Sequence, residues 1–296
     1  LPIGKESDFK GVVDLLSQKA FLFSLDGSGE LTKTEIPEDI KDQVMEYREK
    51  LMETVAESDD ELIEKYLDSG ELSDSDLCQG LRTGFLNSTF TPVMCGAALL
   101  NMGIQPVLDF IVENFPSPQE RPPLKTKDPQ TGAEKEVKVS ADGSFSGFVF
   151  KTIADPYTGR LTILKVCSGV LNSDSTIYNS TKNAKEKIGQ ILKLEGKGQK
   201  PINPGVAGDI VALAKLKETS TNDTLTQEKS NFLFEKANYP TPAIFYAIEP
   251  RTKGDEEKIT EALGRLREED PTLQIRRDNQ TKEIIISGMG QIHLEV

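Results

Sequence analysis

The sequence predicts a multi-domain chain in three parts: an α/β segment, an antiparallel β-barrel, and a ferredoxin-like α+β domain truncated at its C-terminus. Three observations carry that reading. The 296 residues are more than one core normally holds, since single cores stop growing at roughly 250–300 residues. Pro116-Ser117-Pro118-Gln119-Glu120-Arg121-Pro122-Pro123 fixes φ repeatedly and removes backbone donors, so 116–123 reads as a stiff linker. Beyond it the apolar pattern changes from helical spacing to short β-branched runs.

The first domain spans 1–115. The stretches 21–23 and 31–36 flank Asp26-Gly27-Ser28-Gly29, which predicts a hairpin. Ile40, Val44, Tyr47, Leu51 and Val55 recur at three- and four-residue spacing, so a helix starts near Glu38. Ser58 with Glu61 has the form of a capping box, and Leu62, Ile63, Tyr66 and Leu67 continue a second helix. Leu77, Leu81 and Phe85 mark a third. Pro92-Val93-Met94-Cys95 reads as a buried strand, and Ile104, Val107, Leu108, Ile111 and Phe115 as a closing helix.

The barrel domain spans 124–230. From 145 to about 225, turn signals at Asp155-Pro156, Ser168-Gly169, Asn172-Ser173-Asp174 and Pro204-Gly205 punctuate the β-branched runs. A second connection, 231–239, ends in Pro240-Thr241-Pro242. The third domain, 240–296, reads as a strand at 243–249, a helix at 255–269 ended by Pro271, and strands near 273–277 and 284–287. This β-α-β-β order opens a split βαβ fold whose second helix and last strand are expected beyond Val296.

The net charge of −13 is unevenly spread. Residues 1–115 hold 23 acids and 9 bases, and 38–76 alone hold 15 against 4, a surface that repels nucleic acid and suits a basic protein. Cys78, Cys95 and Cys167 are dispersed and odd in number, which argues against a disulfide framework and fits a reducing cytoplasm. No apolar run approaches a membrane span of about 18 residues. The start at Leu1, without Met or a signal-like core, reads as a processed chain or an excised fragment.

Several chemistries lack material. The single histidine, His293, leaves little for a histidine metal cluster or a Ser-His-Asp site, and is expected to pack or cap a helix. Carboxylate pairs are too common here to single any out, so no catalytic residue and no metal site is assigned. A G-x-x-x-x-G-K-[ST] phosphate loop is absent; Gly196-Lys197-Gly198-Gln199-Lys200 has neither the spacing nor a following helix. Asp26-Gly27-Ser28-Gly29 and Thr252-Lys253-Gly254-Asp255 mimic the D-x-x-G and [NT]-K-x-D patterns of GTPases. They are short, stand in a hairpin turn and at a helix start, and come in the wrong order.

The stretches LPIG, GVVDLL, EYREKLMETVAESDDELIEKYL, PVMCGAALLNMGIQPVLDFIVENFPSP, DPYTGRL, SGVL, AGDIVAL, DTL, AIEPRTKGDEEK, EEDP and IIISGMGQIHLEV resemble, in that order, the elongation factor G family of translational GTPases. The resemblance implies that 1–115 is the insertion within the GTPase domain plus that domain's last strand and helix, that 124–230 is the second-domain barrel, and that 240–296 is most of the third. It places the phosphate loop, switches, catalytic histidine and N-K-x-D motif upstream of Leu1, and the fourth and fifth domains beyond Val296. By that resemblance the intact protein is a GTPase using GTP and Mg²⁺ for ribosomal translocation, whereas this chain alone is no enzyme and holds no cofactor.

Gly96, Ala97 and Ala98 match the family's G-S-A segment, whose backbone N–H groups meet the guanine oxygen; Ala97 replaces the serine. Thr221-Asn222-Asp223-Thr224 stands where the family usually has Gly before the Asp, which hints at a divergent paralogue. The implied partner is the ribosome: stalk protein at Glu46, Glu49 and Glu53, and small-subunit rRNA and ribosomal proteins near Lys182, Lys185 and Lys187 and near Arg276 and Arg277. Solvated side chains are the plainer reading of each charge. No DNA or membrane partner is expected. The chain is read as a monomer, with self-association through the truncated third domain as the other outcome. A ribosomal protection GTPase, a recycling paralogue and a non-enzymatic ribosome-binding adaptor are the rival functions.

Overall fold

The structure is a computed structural model that describes residues 1–155, 159–229, 232–250, 252 and 254–296. Pro156 of the first expected barrel turn, Asn231 at the start of the second connection and Lys253 of the Thr252 to Asp255 stretch lie outside the described residues. The chain forms two compact units, Leu1–Arg121 and Pro122–Val296.

In the first unit, β1 (Pro2–Ile3), β2 (Gly11–Asp14), β3 (Lys19–Phe23) and β4 (Leu31–Thr34) form an antiparallel meander in that order. Phe23 pairs with Leu31, which closes the expected hairpin around Asp26-Gly27-Ser28-Gly29. Helices α1 (Lys41–Ala56), α2 (Asp60–Ser69) and α3 (Asp74–Asn87) enclose Val55, Leu62, Leu77 and Leu81. Gly80 is what lets them approach, since a Cβ there would lie 2.4 Å from the Val55 side chain.

Two expectations are corrected here. The cap of α2 is Asp59, whose carboxylate accepts the Glu61 N–H at 2.9 Å. Ser58 instead donates its hydroxyl to Val55 O at 2.7 Å and so closes the end of α1. Pro92-Val93-Met94-Cys95 is no strand: a strand needs a neighbour to bond to, and among the described residues this stretch has only the isolated Ala97–Met102 bridge after it. Val93 is 92% exposed. The closing helix, α4 (Ile104–Asn114), forms as expected, yet Leu108, Ile111, Val112 and the following Phe115 are exposed.

The second unit begins with a ribbon of β5 (Leu124–Lys127) and β6 (Glu134–Val137). The barrel strands follow: β7 (Ser146–Asp155), β8 (Gly159–Ser168), β9 (Val170–Leu171), β10 (Thr176–Asn179), β11 (Ala184–Lys187), β12 (Ile191–Glu195), β13 (Gly198–Ile202), β14 (Gly205–Val206), β15 (Ile210–Ala214) and β16 (Thr224–Thr226). Then β17 (Leu233–Phe234) returns to pair with β5. The main sheet runs β11-β10-β16-β7-β8-β15-β12-β13, and β9 pairs with β14. Its alternating inward residues, Val149, Leu164, Val166, Ile191, Val211, Leu213 and Leu225, are essentially sealed from solvent. That is the antiparallel barrel the turn spacing predicts.

Strand β18 (Ile244–Ile248), helix α5 (Glu256–Glu269), strands β19 (Gln274–Arg277) and β20 (Ile284–Gly288) and the short helix α6 (Gln291–Glu295) complete the unit. The sheet order is β18-β20-β19, all antiparallel, as the β-α-β-β start of a ferredoxin-like fold requires. Leu263 of α5 packs with Leu273 and Ile286. The C-terminal end of α5 meets the barrel: the Ala154 N–H donates to the Glu269 carboxylate, and Arg160 Nε lies 3.4 Å from Glu268 Oε2. No helix among the described residues is long and apolar enough to cross a membrane.

Candidate functional site

On β11 the side chains alternate, so Glu186 is buried while Lys185 and Lys187 face solvent. A buried carboxylate is costly unless donors surround it. Glu186 collects four: the backbone N–H groups of Lys217 (3.2 Å), Glu218 (2.7 Å) and Thr219 (2.9 Å), and the Thr219 hydroxyl (2.9 Å). These bonds pin the loop after β15 against β11, with Leu216 buried beside them. Lys217, exposed, thereby joins Lys185 and Lys187 around one buried anion.

Lys182, expected to belong to the same cluster, has a different part. Its ammonium donates to Glu218 O and to Ser220 Oγ at 2.6 Å, and lies 3.5 Å from Asp223 Oδ2. Asp223 also accepts Asn179 Nδ2 and Ser220 N, each at 2.8 Å. Lys182 is thus a tie of the loop, whereas Lys185 and Lys187 have no ion pair among the described residues. The sequence reading missed Lys217 because nothing in it links 186 to 217–219. The signal available was an acid between two outward lysines on a predicted strand, which must find donors somewhere.

Arg276 and Arg277 are not brought together. They alternate on β19, opposite Ile285 and Ile284 of β20, and so point to opposite faces of the sheet. Arg276 Nη1 lies 3.7 Å from Asp278 Oδ2, and Arg277 Nε donates to Lys282 O at 3.1 Å. Glu46, Glu49 and Glu53 do share the exposed face of α1, with Lys50 bonded to Glu46 at 2.5 Å. Burial raises the Tyr66 phenol pKa, and the nearby Glu53 and Glu49 charges raise it further.

In the Gly96, Ala97, Ala98 segment the Ala97 N–H is already committed to Met102 O at 3.0 Å, and Met102 N–H returns to Ala97 O at 3.1 Å. A Cβ at 96 would lie 2.8 Å from Met102 O, which explains the glycine. His293, within α6, accepts on Nδ1 the N–H of Met289, which precedes that helix (3.1 Å), and its Nε2 lies 3.0 Å from Asp270 Oδ2. Among the described residues no group of three or more His, Cys, Asp or Glu side chains could hold a metal ion.

Residues 144–228 match the family model of elongation factor G domain 2, and residues 239–296 that of elongation factor G domain III. A crystal structure from Thermus thermophilus is similar over 100% of this chain, with a TM-score of 0.81 and 25% sequence identity. The match covers 42% of that protein, so this chain spans less than half its length.

Proposed function

The chain carries domains 2 and 3 of elongation factor G, and from that premise we propose that the whole protein is a GTP-dependent ribosomal translocase in which this part couples and contacts but performs no chemistry. The observation that carries the reading is the Glu186-pinned loop. It presents Lys185, Lys187 and Lys217 from a rigid barrel, and spaced cations on a fixed scaffold suit an RNA phosphate backbone.

Charge supports the same reading. Residues 124–236 hold 17 bases and 13 acids, and three of those acids, Asp128, Glu186 and Asp223, are buried, so the barrel's exposed surface is more basic than its net charge. The Ala154 hydrogen bond and the Arg160 ion pair to the end of α5 give the barrel a direct connection to the third domain.

The first unit takes the remaining roles in this proposal. The exposed apolar residues of α4 and the irregular stretch before it suit the rest of a GTPase domain, where Gly96 and Ala98 would offer N–H groups to guanine while GTP and Mg²⁺ bind residues outside this chain. The Glu46, Glu49 and Glu53 face would meet a basic stalk protein, and the protein would work in the cytoplasm.

Cosedimentation of the chain with ribosomes over a salt series tests the proposal. Reversing Lys185, Lys187 and Lys217 to Glu should abolish binding at moderate salt and lower the slope of log K against log salt by about two to three, near one per lost phosphate contact. Binding that ignores both salt and the reversals would refute it.

A further inference from the structure

On the barrel's outer surface, strand β7 carries one residue too many. Val149 pairs with Leu164 and Lys151 with Ile163, so Phe150 is the extra residue of a β-bulge, and Phe150 and Lys151 are both exposed. Bulges re-aim side chains at functional surfaces. Phe150, 40% exposed, lines a groove of about 470 Å³ with Phe148, Phe234, Leu124 and Ile210, and Cys167 closes its inner side. Phe234 stands edge-on to Phe148 at 6.2 Å.

The groove is apolar inside and cationic at its edge. Lys125 and Lys165 line it and Lys151 adjoins it through the bulge; Lys165 and Lys151 have no ion pair among the described residues. Two acids stand nearby. Glu235, also on the lining, is 3.9 Å from Lys127 Nζ, and Glu136 lies opposite Lys125 across the ribbon.

We propose that this groove takes an unpaired nucleobase of single-stranded RNA, stacked on Phe150, with the neighbouring phosphates on Lys151 and Lys165. The inference rests on the reading that the barrel meets RNA, and adds a second surface that reads unpaired bases rather than backbone. Exposed aromatic rings interleaved with cations on a small barrel are what sequence-tolerant single-strand binding requires, and the volume suits a ligand of that size.

The test uses the whole chain with fluorescein-labelled hexaadenylate, followed by anisotropy, with an RNA duplex as competitor. Phe150→Ala should weaken binding about tenfold, the loss expected of one stacked base, without changing the salt slope, and Phe150→Tyr should retain affinity and control for folding. Binding lost on reversing Lys185, Lys187 and Lys217 but indifferent to Phe150→Ala would overturn the groove and leave the phosphate reading standing. Absence of binding by either RNA would overturn both. A hydrophobic dye held in the groove and displaced by neither RNA would mark a protein-docking face, and the proposal would fall.

Discussion

Thr219 gives both its backbone N–H and its hydroxyl to one oxygen of Glu186, each at 2.9 Å. The second oxygen takes the Lys217 N–H, so a single carboxylate fixes three consecutive residues of a loop that closes the barrel. Glu186→Ala would leave four donors without an acceptor, the two of Thr219 buried and those of Lys217 and Glu218 part-buried. At about 1–3 kcal/mol for each orphaned donor, partly relieved by water, the variant should lose at least about 3 kcal/mol in urea unfolding. Glu186→Gln, which keeps one acceptor oxygen, should lose less. A loss under about 1 kcal/mol for the alanine variant would mean that the loop is held by something else.

Nucleotide binding should be absent from this chain by itself. Phosphate contacts supply most of the recognition at such sites, and the Gly96 to Ala98 segment has already spent one of its three N–H groups on Met102. Calorimetry with GTP and Mg²⁺ should show no heat of binding; micromolar affinity would contradict the assignment of the phosphate loop to residues outside the chain.

The acidic face of α1 should bind a basic protein weakly and with steep salt dependence, because its charges are exposed and screened. Reversing Glu46, Glu49 and Glu53 to Lys should weaken binding of purified stalk protein. Unchanged binding in the reversed variant and at high salt would reduce the face to a solvated surface.

Much of the fold was legible because periodicity reports burial. The α1 to α3 helices and the β18-α5-β19-β20 order follow from apolar spacing alone. Pro92 to Cys95 failed because an apolar run says nothing of whether a partner strand exists. Asn222 shows the opposite case. It holds φ at 73°, in the left-handed region where glycine is the default and asparagine the commonest substitute. The departure from the family's Gly is therefore a conservative change of backbone, further fixed by Asn222 Oδ1 accepting the Ala237 N–H at 3.1 Å. The lysine site was half legible, since outward alternation on β11 is local but the Glu186 to Thr219 bond spans 33 residues.

Two groups make pH predictions of opposite sign. Burial works to raise the Asp270 pKa, but hydrogen bonds from Thr272 and the adjacent His293 outweigh it and hold the carboxyl below its usual 3.8. Its stabilisation is therefore complete above 3.8 and lost as pH falls through the lower folded value. Asp270→Asn should flatten the acid limb of third-domain stability, and an unaltered limb would assign the acid loss to other carboxylates. Burial pushes the Cys167 thiol up to about 11 from 9.0. Its contribution is complete below 9.0 and lost as pH rises through about 11. Near pH 8 only about one molecule in a thousand carries that thiolate, so iodoacetamide should label exposed Cys78 first and Cys167 only on unfolding.

Arg160 should matter more to stability through the hydrogen bonds it gives the barrel's own loop than through its ion pair to α5. Arg160 Nη2 donates to Thr219 O and approaches Ser220 Oγ at 3.4 Å, in a site where the arginine side chain is only 23% exposed. Its pairing with Glu268 is looser, at 3.4 Å, and the glutamate is 49% exposed, so solvent screens it. A hydrogen bond from a charged donor is worth about 1.5–3 kcal/mol, whereas exposed pairs couple by about 0.2–1 kcal/mol. Arg160→Ala should therefore cost about 2 kcal/mol, Glu268→Ala under about 1 kcal/mol, and the double-mutant cycle should give a coupling below about 1 kcal/mol. Arg160→Lys should not rescue the loss, because an ammonium lacks the fork that spans Thr219 and Glu268. Urea unfolding of the four proteins supplies the cycle, and hydrogen exchange over 263–270 reports whether the end of α5 loosens. A coupling above about 2 kcal/mol would show that the ion pair governs the contact, and the rank order argued from burial and distance would be reversed.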